Sequence, residues 1–244
     1  MRIALLADIH GNLTALDAVL AALAGAPVDQ VLCLGDVAIF GPQPGATLAR
    51  LRGLGCPMVM GNTDAWALDP QPHPFRNADT PKFNAIEQWG AAQLTDADRD
   101  FIRTFQPTVT VNLGGHGELM GYHGSPRSYH DAIVATTPNG ELARWLEAKP
   151  ALVMAGGHTH APFVRRFGES LVMNPGSVGL PYENRPDGRT RNPPWAEFAI
   201  ITTDGGLCVE LRRTPVNVAQ IAQVVRQSEM PFAEWWLENW LVAE

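Results

Sequence analysis

Met1-Arg2-Ile3-Ala4-Leu5-Leu6-Ala7-Asp8-Ile9-His10-Gly11-Asn12 opens the chain with a short apolar run that stops abruptly at an acid, an imidazole and a glycine. The run reads as a strand over residues 3–7. Immediately beyond it, Leu13, Leu16, Leu20 and Leu23 recur at helical spacing, and Asn12 stands where an N-cap belongs, so a helix over 13–23 is predicted to pack on the sheet. A strand that ends in polar residues and passes into a helix is the unit of a layered α/β protein.

The same rhythm repeats along the chain. Further strands are expected over 31–34, 58–60, 119–122, 152–155 and 171–173. Two more, over 198–202 and 207–212, flank Asp204-Gly205-Gly206, a hairpin turn signal, and form a late antiparallel pair. Helices are expected over 46–54, over 141–147 before Pro150, and from Thr214-Pro215 to about residue 227. The fold class is therefore α/β with mixed sheets.

Two segments break the pattern. Residues 65–106 carry prolines at 70, 72, 74 and 81, followed by helical patterns over 83–93 and 96–104, the second opened by a Thr95 and Asp98 capping box. This is read as a helical insertion or lid within one domain spanning 1–244. The tail over 231–244, with Trp235, Trp236 and Trp240, is expected to form a helix too apolar to stand free. It would pack on the core or cover a second copy in a homo-oligomer.

Composition narrows the function classes. The 244 residues are 45% hydrophobic and 18% charged, with no low-complexity tract, as suits an ordinary globular chain. A net charge of -7 argues against bulk affinity for nucleic acid or an anionic membrane. An anionic substrate would need local positive charge. The opening apolar run is too short for a signal peptide or a membrane helix, and a cytoplasmic location is expected. Cys33, Cys56 and Cys208 show no metal or redox spacing and are read as buried apolar fillers.

Chemistry collects at strand ends. Asp8 and His10 follow the first strand, Asp36 the second, Asn62 the third, His123 the fourth, and His158 and His160 the fifth. In α/β sheets ligands bind at the carboxyl ends of strands, where side chains from separate strands converge. Singly, an acid or amide after a strand is ordinary turn chemistry. Five strands each delivering a ligand-type residue reinforce one another. Carboxylates, imidazoles and one amide oxygen, with no thiolate, suit first-row divalent ions; manganese is favoured, with Fe, Zn, Ni or Co as alternatives. Seven ligands exceed the needs of one ion, and a shared carboxylate can join two. Two ions would make the site cationic, clamp phosphate oxygens and acidify a bridging water, giving hydroxide for in-line attack on phosphorus.

These blocks resemble the calcineurin-like metallophosphoesterase superfamily, through Asp8-Ile9-His10-Gly11-Asn12, Gly35-Asp36, Gly61-Asn62-Thr63-Asp64, His123-Gly124, Gly157-His158-Thr159-His160 and Asn174-Pro175-Gly176-Ser177. The loops around His123 and Asn174 look most like its bacterial branch of small phosphodiesterases and diadenosine-tetraphosphatase-like proteins. The resemblance implies a sandwich of two mixed sheets flanked by helices. It also implies that Asp8, His10 and His160 bind one metal, that Asn62, His123 and His158 bind the other, and that Asp36 bridges them. Asp36, Asn62 and His123 would then be the catalytic set, and the activity a phosphodiesterase acting on a small phosphorylated substrate. Alternatives are a dinucleoside polyphosphate hydrolase, a phosphomonoesterase or protein phosphatase, and, in another class, a non-catalytic scaffold of the same fold. Thr63 departs from the pattern: many members carry there the histidine that protonates the leaving group, and a hydroxyl has no suitable pKa for that task.

Arg127 could grip a phosphate, and His130 could serve as substrate contact or substitute acid, although a His130-Asp131 pair at a helix start would more simply be solvated. His73 and His116 are read as structural or exposed. Asn174-Pro175-Gly176-Ser177 is read as a turn under the site, and Arg185, Arg189 and Arg191 as a possible pocket border.

Overall fold

The computed structural model describes residues 1–146, 151–185 and 190–240. In chain order the elements are β1 (Arg2–Leu6), α1 (Leu13–Ala24), β2 (Gln30–Cys33), α2 (Pro44–Leu54), α3 (Asn62–Leu68), α4 (Thr80–Ala92), α5 (Asp96–Arg103), β3 (Val109–Asn112), β4 (Glu118–Gly121), α6 (Asn139–Leu146), β5 (Val153–Ala155), β6 (Phe163–Phe167), β7 (Ser170–Asn174), β8 (Glu183–Asn184), β9 (Thr190–Arg191), β10 (Trp195–Thr202), β11 (Cys208–Pro215), α7 (Val218–Gln227) and α8 (Ala233–Glu238). Two mixed sheets result, in the orders β11-β10-β1-β2 and β3-β4-β5-β7-β6, beside a short β8-β9 hairpin.

Period-two alternation explains why the sheets stack. Ile3, Leu5 and Ala7 point one way with Leu32, Leu34, Ala199 and Ile201, and meet Leu119, Val153, Ala155 and Met173 of the other sheet in one buried cluster. Ala4, Leu6, Cys33, Phe198 and Ile200 point the other way, into a cluster shared with Leu16 and Val19 of α1 and with Ile221 and Val225 of α7. The outer face of the second sheet, through Met120, Met154 and Val172, is covered by Leu142 and Leu146 of α6. The α/β sandwich of two mixed sheets flanked by helices is thus the expected one.

Local signals also hold. The Asn12 side chain accepts from Ala15 N at 3.1 Å and caps α1. Thr95 and Asp98 form the reciprocal capping box of α5, Thr95 Oγ1 accepting from Asp98 N at 3.2 Å and Asp98 Oδ2 accepting from Thr95 N at 3.1 Å. Helices α4 and α5 send Ile86, Ala91 and Ile102 into the same cluster as α1, with Trp236 and Trp240 of the tail.

Several expectations are corrected. Residues 58–60 make only isolated bridges, Cys33 with Met58 and Val59 with Gln106, because Gly61 turns the chain straight into α3. Helix α3, only seven residues long, and strands β3 and β6, whose short apolar runs are interrupted by Thr110 and by Arg165-Arg166, do not stand out in the sequence. Thr214 and Pro215 close β11 instead of opening a helix; α7 begins at Val218, capped by Asn217. The tail helix spans only Ala233–Glu238, and Cys208 is exposed, Cys56 half-buried. Glu147, Pro150, Arg189 and residues 241–244, on which parts of the sequence reading fell, lie outside the described residues.

Leu5 is fully buried where the two sheets meet. Leu5→Ala is expected to cost about 2–5 kcal/mol of unfolding free energy, because the cavity left between two sheets collapses only partly. Urea unfolding measures this, and a loss below about 1 kcal/mol would show that the sheets do not share a tightly packed interior.

Candidate metal centre

The loops that leave the strand ends are laced together by their own backbones. Asp8 N donates to Gly35 O at 3.0 Å and His10 N to Asp36 O at 2.9 Å, so the first and second loops run side by side. Val178 N and Gly179 N donate to Ala7 O and Asp8 O, and Ser177 Oγ donates to Asp8 O at 2.7 Å. Asn174 Nδ2 reaches Gly157 O at 2.7 Å. The Asn174-Pro175-Gly176-Ser177 turn therefore does hold the floor, by gripping backbone on both sides.

Asp8, His10, Asp36, His158 and His160 all have left-handed backbones, with φ of 54°, 48°, 54°, 67° and 55°. Such conformations cost on the order of 1 kcal/mol or more each for residues with a Cβ. They aim five side chains at one point. The close approach of loops leaves no room for a Cβ at Gly61, where it would collide with Asp36 Oδ1, or at Gly179, where it would strike Ile9 O.

Two groups of ligand atoms gather there. Asp8, His10 and His160 lie with their ligand atoms all within 4.8 Å of one another, and so do Asp36, His123 and His158. Asn62 Oδ1 joins the second group, 2.9 Å from both His123 Nε2 and His158 Nδ1. Asp36 Oδ2 lies 3.4 Å from His123 Nε2 and 3.8 Å from His10 Nε2, so one carboxylate oxygen faces both groups.

The tautomers decide what these groups can hold. His10 Nδ1 donates to Ile39 O at 2.9 Å, His123 Nδ1 to Leu34 O at 2.8 Å, and His160 Nδ1 to Leu180 O at 2.7 Å. Each ring then presents an Nε2 lone pair to the interior. His10 Nε2 and His160 Nε2 stand 3.2 Å apart, two lone pairs facing each other unless a cation or a proton lies near. Around Asn62, the amide NH2, turned inward, would donate to His123, His158 and Asp36; with its oxygen inward, several lone pairs converge as they do on a cation. The residues fit divalent ions of the first row, with oxygen and imidazole donors and no thiolate.

The electrostatics say the same. Burial, reinforced by the Asp36 charge and opposed by His123, pushes the Asp8 carboxyl up to about 8. Asp36 resists its burial and stays well below the usual carboxylate range, because His123 and His10 surround it. His123 is buried too, yet Asp36 and Asp8 lift it to about 9. Burial, then repulsion from neighbouring imidazoles, lowers His158 to about 4 and His160 to about 3. Without cations, protons on Asp8 and His123 do part of their work.

Asp64 and Thr63 support the cluster without belonging to either ligand group. Asp64, fully buried, accepts from Asp36 N at 2.8 Å, Gly61 N at 3.0 Å and Val37 N at 2.9 Å, and so fixes the Asp36 turn. Its place three residues after Gly61 at a helix start was a usable signal. Thr63 N donates to Asp36 Oδ1 at 2.9 Å, while Thr63 Oγ1 is buried without a partner. A cavity of about 880 Å³ opens beside the cluster, its wall running from His10, Asp36, Asn62 and His158 to Phe83, Glu87 and Trp235. Arg127 is outside this wall, paired with Asp131 at 3.0 Å. His130 is exposed, its ring 6.4 Å from that of His158; no helix starts there, and Asp131 binds Ser125 and Arg127 instead. His73 pairs with Glu87 at 2.9 Å, and Arg191 pairs with Glu183.

Residues 1–206 match the calcineurin-like phosphoesterase superfamily domain. An uncharacterized protein of Methanocaldococcus jannaschii is 26% identical over 202 residues, covering 73% of this chain and 76% of that protein. Among solved structures, a metallophosphoesterase from Sphaerobacter thermophilus superposes with a TM-score of 0.75 at 24% identity, covering 98% of this chain and 97% of that one. A hypothetical protein from Pyrococcus horikoshii OT3 superposes with a TM-score of 0.80 at 19% identity, over 98% and 97% of the two chains. At such identities the structural likeness shows the shared fold.

Asp8, with an ordinary value of 3.8 raised to about 8, and His123, with 6.5 raised to about 9, hold protons in the folded state that the unfolded chain gives up. Their contribution is lost as pH rises, while the depressed histidines His10, His158 and His160 oppose that loss only up to about pH 7.5, above which they are neutral in both states. Chelator-treated protein is therefore expected to melt at progressively lower temperature between about pH 7.5 and about 9. Added Mn²⁺, replacing those protons, should raise the melting temperature and flatten the dependence. A metal-free melting temperature that climbs across this window would contradict the proton-for-metal exchange.

Proposed function

The chain belongs to the calcineurin-like phosphoesterase superfamily and is a metal-dependent phosphoric ester hydrolase, and we propose that it hydrolyses phosphodiesters at a two-metal centre built by Asp8, His10, Asp36, Asn62, His123, His158 and His160. The observation that carries this reading is the position of Asp36 Oδ2, within 3.8 Å of His10 in one ligand group and 3.4 Å of His123 in the other. Asp8, His10 and His160 would hold one ion, Asn62, His123 and His158 the second, and Asp36 both.

When bound, two divalent ions supply Lewis-acid charge for the phosphoryl oxygens and an acidified water as nucleophile. Manganese is the ion favoured by the oxygen and imidazole donor set. The chain's own residues do the rest. The Nδ1–H bonds to Ile39, Leu34 and Leu180 fix the orientation of three imidazoles and leave Nε2 as the atom each turns inward. Asp64 keeps the Asp36 carboxylate from turning away by fixing its backbone. Thr63 lines the cavity, but its Oγ1 is buried without a partner, and a hydroxyl cannot deliver a proton near neutrality. The leaving group would then depart as its anion.

Two measurements test this. In Mn²⁺, Asp36→Asn is expected to lower kcat/KM on bis(4-nitrophenyl) phosphate by about a thousandfold or more, since the variant loses the negative charge shared by both groups; unchanged turnover would remove Asp36 from the mechanism. Across aryl phosphodiesters of graded leaving-group pKa, the logarithm of kcat should fall steeply as that pKa rises. A flat plot would mean that an acid is present after all, and His130→Ala would then show whether that acid is His130.

A further inference from the structure

The far side of the cavity is made by elements that contribute nothing to the metal cluster. Asp79, Phe83 and Glu87 recur every four residues and form one stripe of α4 and its N-cap along the wall. Phe83 is 40% exposed although its ring stacks on Phe40 at 4.9 Å and meets Trp235 edge-on at 5.2 Å. Across the opening, Tyr182 lies 5.0 Å from the His160 ring and is itself 42% exposed. Partly exposed aromatic side chains thus border a cavity that also touches the ligand residues.

The polar complement of this wall is acidic. Asp79, Glu87 and Glu238 line the cavity, and among its described lining residues there is neither lysine nor arginine. The nearby ammonium of Lys82 is engaged, 2.8 Å from Asp79 and 5.0 Å from the Trp235 ring centre. Glu87 lines the cavity and is 8% exposed, its Oε2 buried 2.9 Å from His73 Nε2. Acidic side chains along a cavity wall favour a ligand that brings a donor or a positive charge and penalise one that brings further anions.

We propose that this cavity selects phosphoryl esters with a single phosphorus and one flat ring, the ring lying against Phe83 and its polar edge turned toward Glu87, and that it discriminates against polyphosphates. The proposal rests on the two-metal reading above, which places the phosphoryl group at the ligand cluster. It adds what that reading leaves open, the chemistry of the organic group. Metal charge attracts the phosphoryl end, the ring is recognised by uncovered aromatic area, and the acidic stripe rejects additional phosphates reaching the same wall.

Binding of non-hydrolysable probes to the Mn²⁺-loaded full chain, by isothermal titration calorimetry, separates the two layers of the argument. Phenylphosphonate is expected to bind about tenfold more tightly than methylphosphonate, the size of effect that a ring-on-ring contact with its buried area gives. In Phe83→Ala, and in Phe83→Leu as a variant that keeps bulk at the position, that preference should fall to within about threefold, with methylphosphonate unaffected. Diadenosine tetraphosphate should displace phenylphosphonate weakly from the wild type, and more strongly from Glu87→Gln. Equal affinity for the two phosphonates in the wild type would overturn the ring subsite while leaving the hydrolase reading intact. A phenyl preference that survives both Phe83 variants would overturn the placement at Phe83. Diadenosine tetraphosphate binding as tightly as phenylphosphonate would overturn the charge discrimination. Failure of both phosphonates to bind would instead remove the phosphoryl site at the metal cluster, and the proposal with it.

Discussion

Three hydrogen bonds from imidazole Nδ1–H to backbone carbonyls, at Ile39, Leu34 and Leu180, set the character of this protein. They fix the tautomers of His10, His123 and His160, and so commit three lone pairs to the interior beside two buried carboxylates. Each carbonyl belongs to a loop other than the one carrying its imidazole. Orientation of any one ring therefore requires that the strand ends already be in place. Once they are, the arrangement is one that neither water nor protons satisfy well, and cations do.

Such a site is costly to fold. Five left-handed residues converge on it, and Asp8 and Asp36 are withdrawn almost wholly from water. The surrounding structure meets this cost with continuous packing on both sides of the first sheet and with backbone bonds that cross from loop to loop. Gly61 and Gly179 mark the closest crossings, where even a methyl group would strike a neighbouring loop. Asp64 shows the same economy: one carboxylate satisfies three backbone donors around the Asp36 turn and leaves the catalytic chemistry to others.

Helices α4, α5 and α8 have a different role. Helices α4 and α5 and the tail share the large apolar cluster with α1, so they are anchored as firmly as the sheet they cover. What they leave uncovered faces the ligand cluster. Trp236 donates its indole N–H to Phe40 O at 2.8 Å and is buried, while its half-buried neighbour Trp235 meets Phe83 edge-on, and both line the cavity.

Much of this was legible in the sequence because it is local. The apolar run before Asp8, the leucines at helical spacing behind Asn12, and the Thr95 capping box state period and cap directly, and the acids, amide and imidazoles announce themselves by falling just past strand ends. The sequence thereby determined the α/β layering and the donor atoms available to a metal. The tertiary structure alone decided the rest. Which lone pair each imidazole offers depends on a carbonyl from another loop, 20 to 89 residues away. The roles of Phe83, Glu87 and Trp235 depend on which face of a helix meets a cavity formed by distant segments, and that of Asp64 on the Asp36 turn folding beside it. Arg127, plausible by its neighbourhood, was claimed by Asp131 instead. Sequence fixes periodicity and chemistry along the chain; convergence in space is set by long-range packing, which no short stretch encodes by itself.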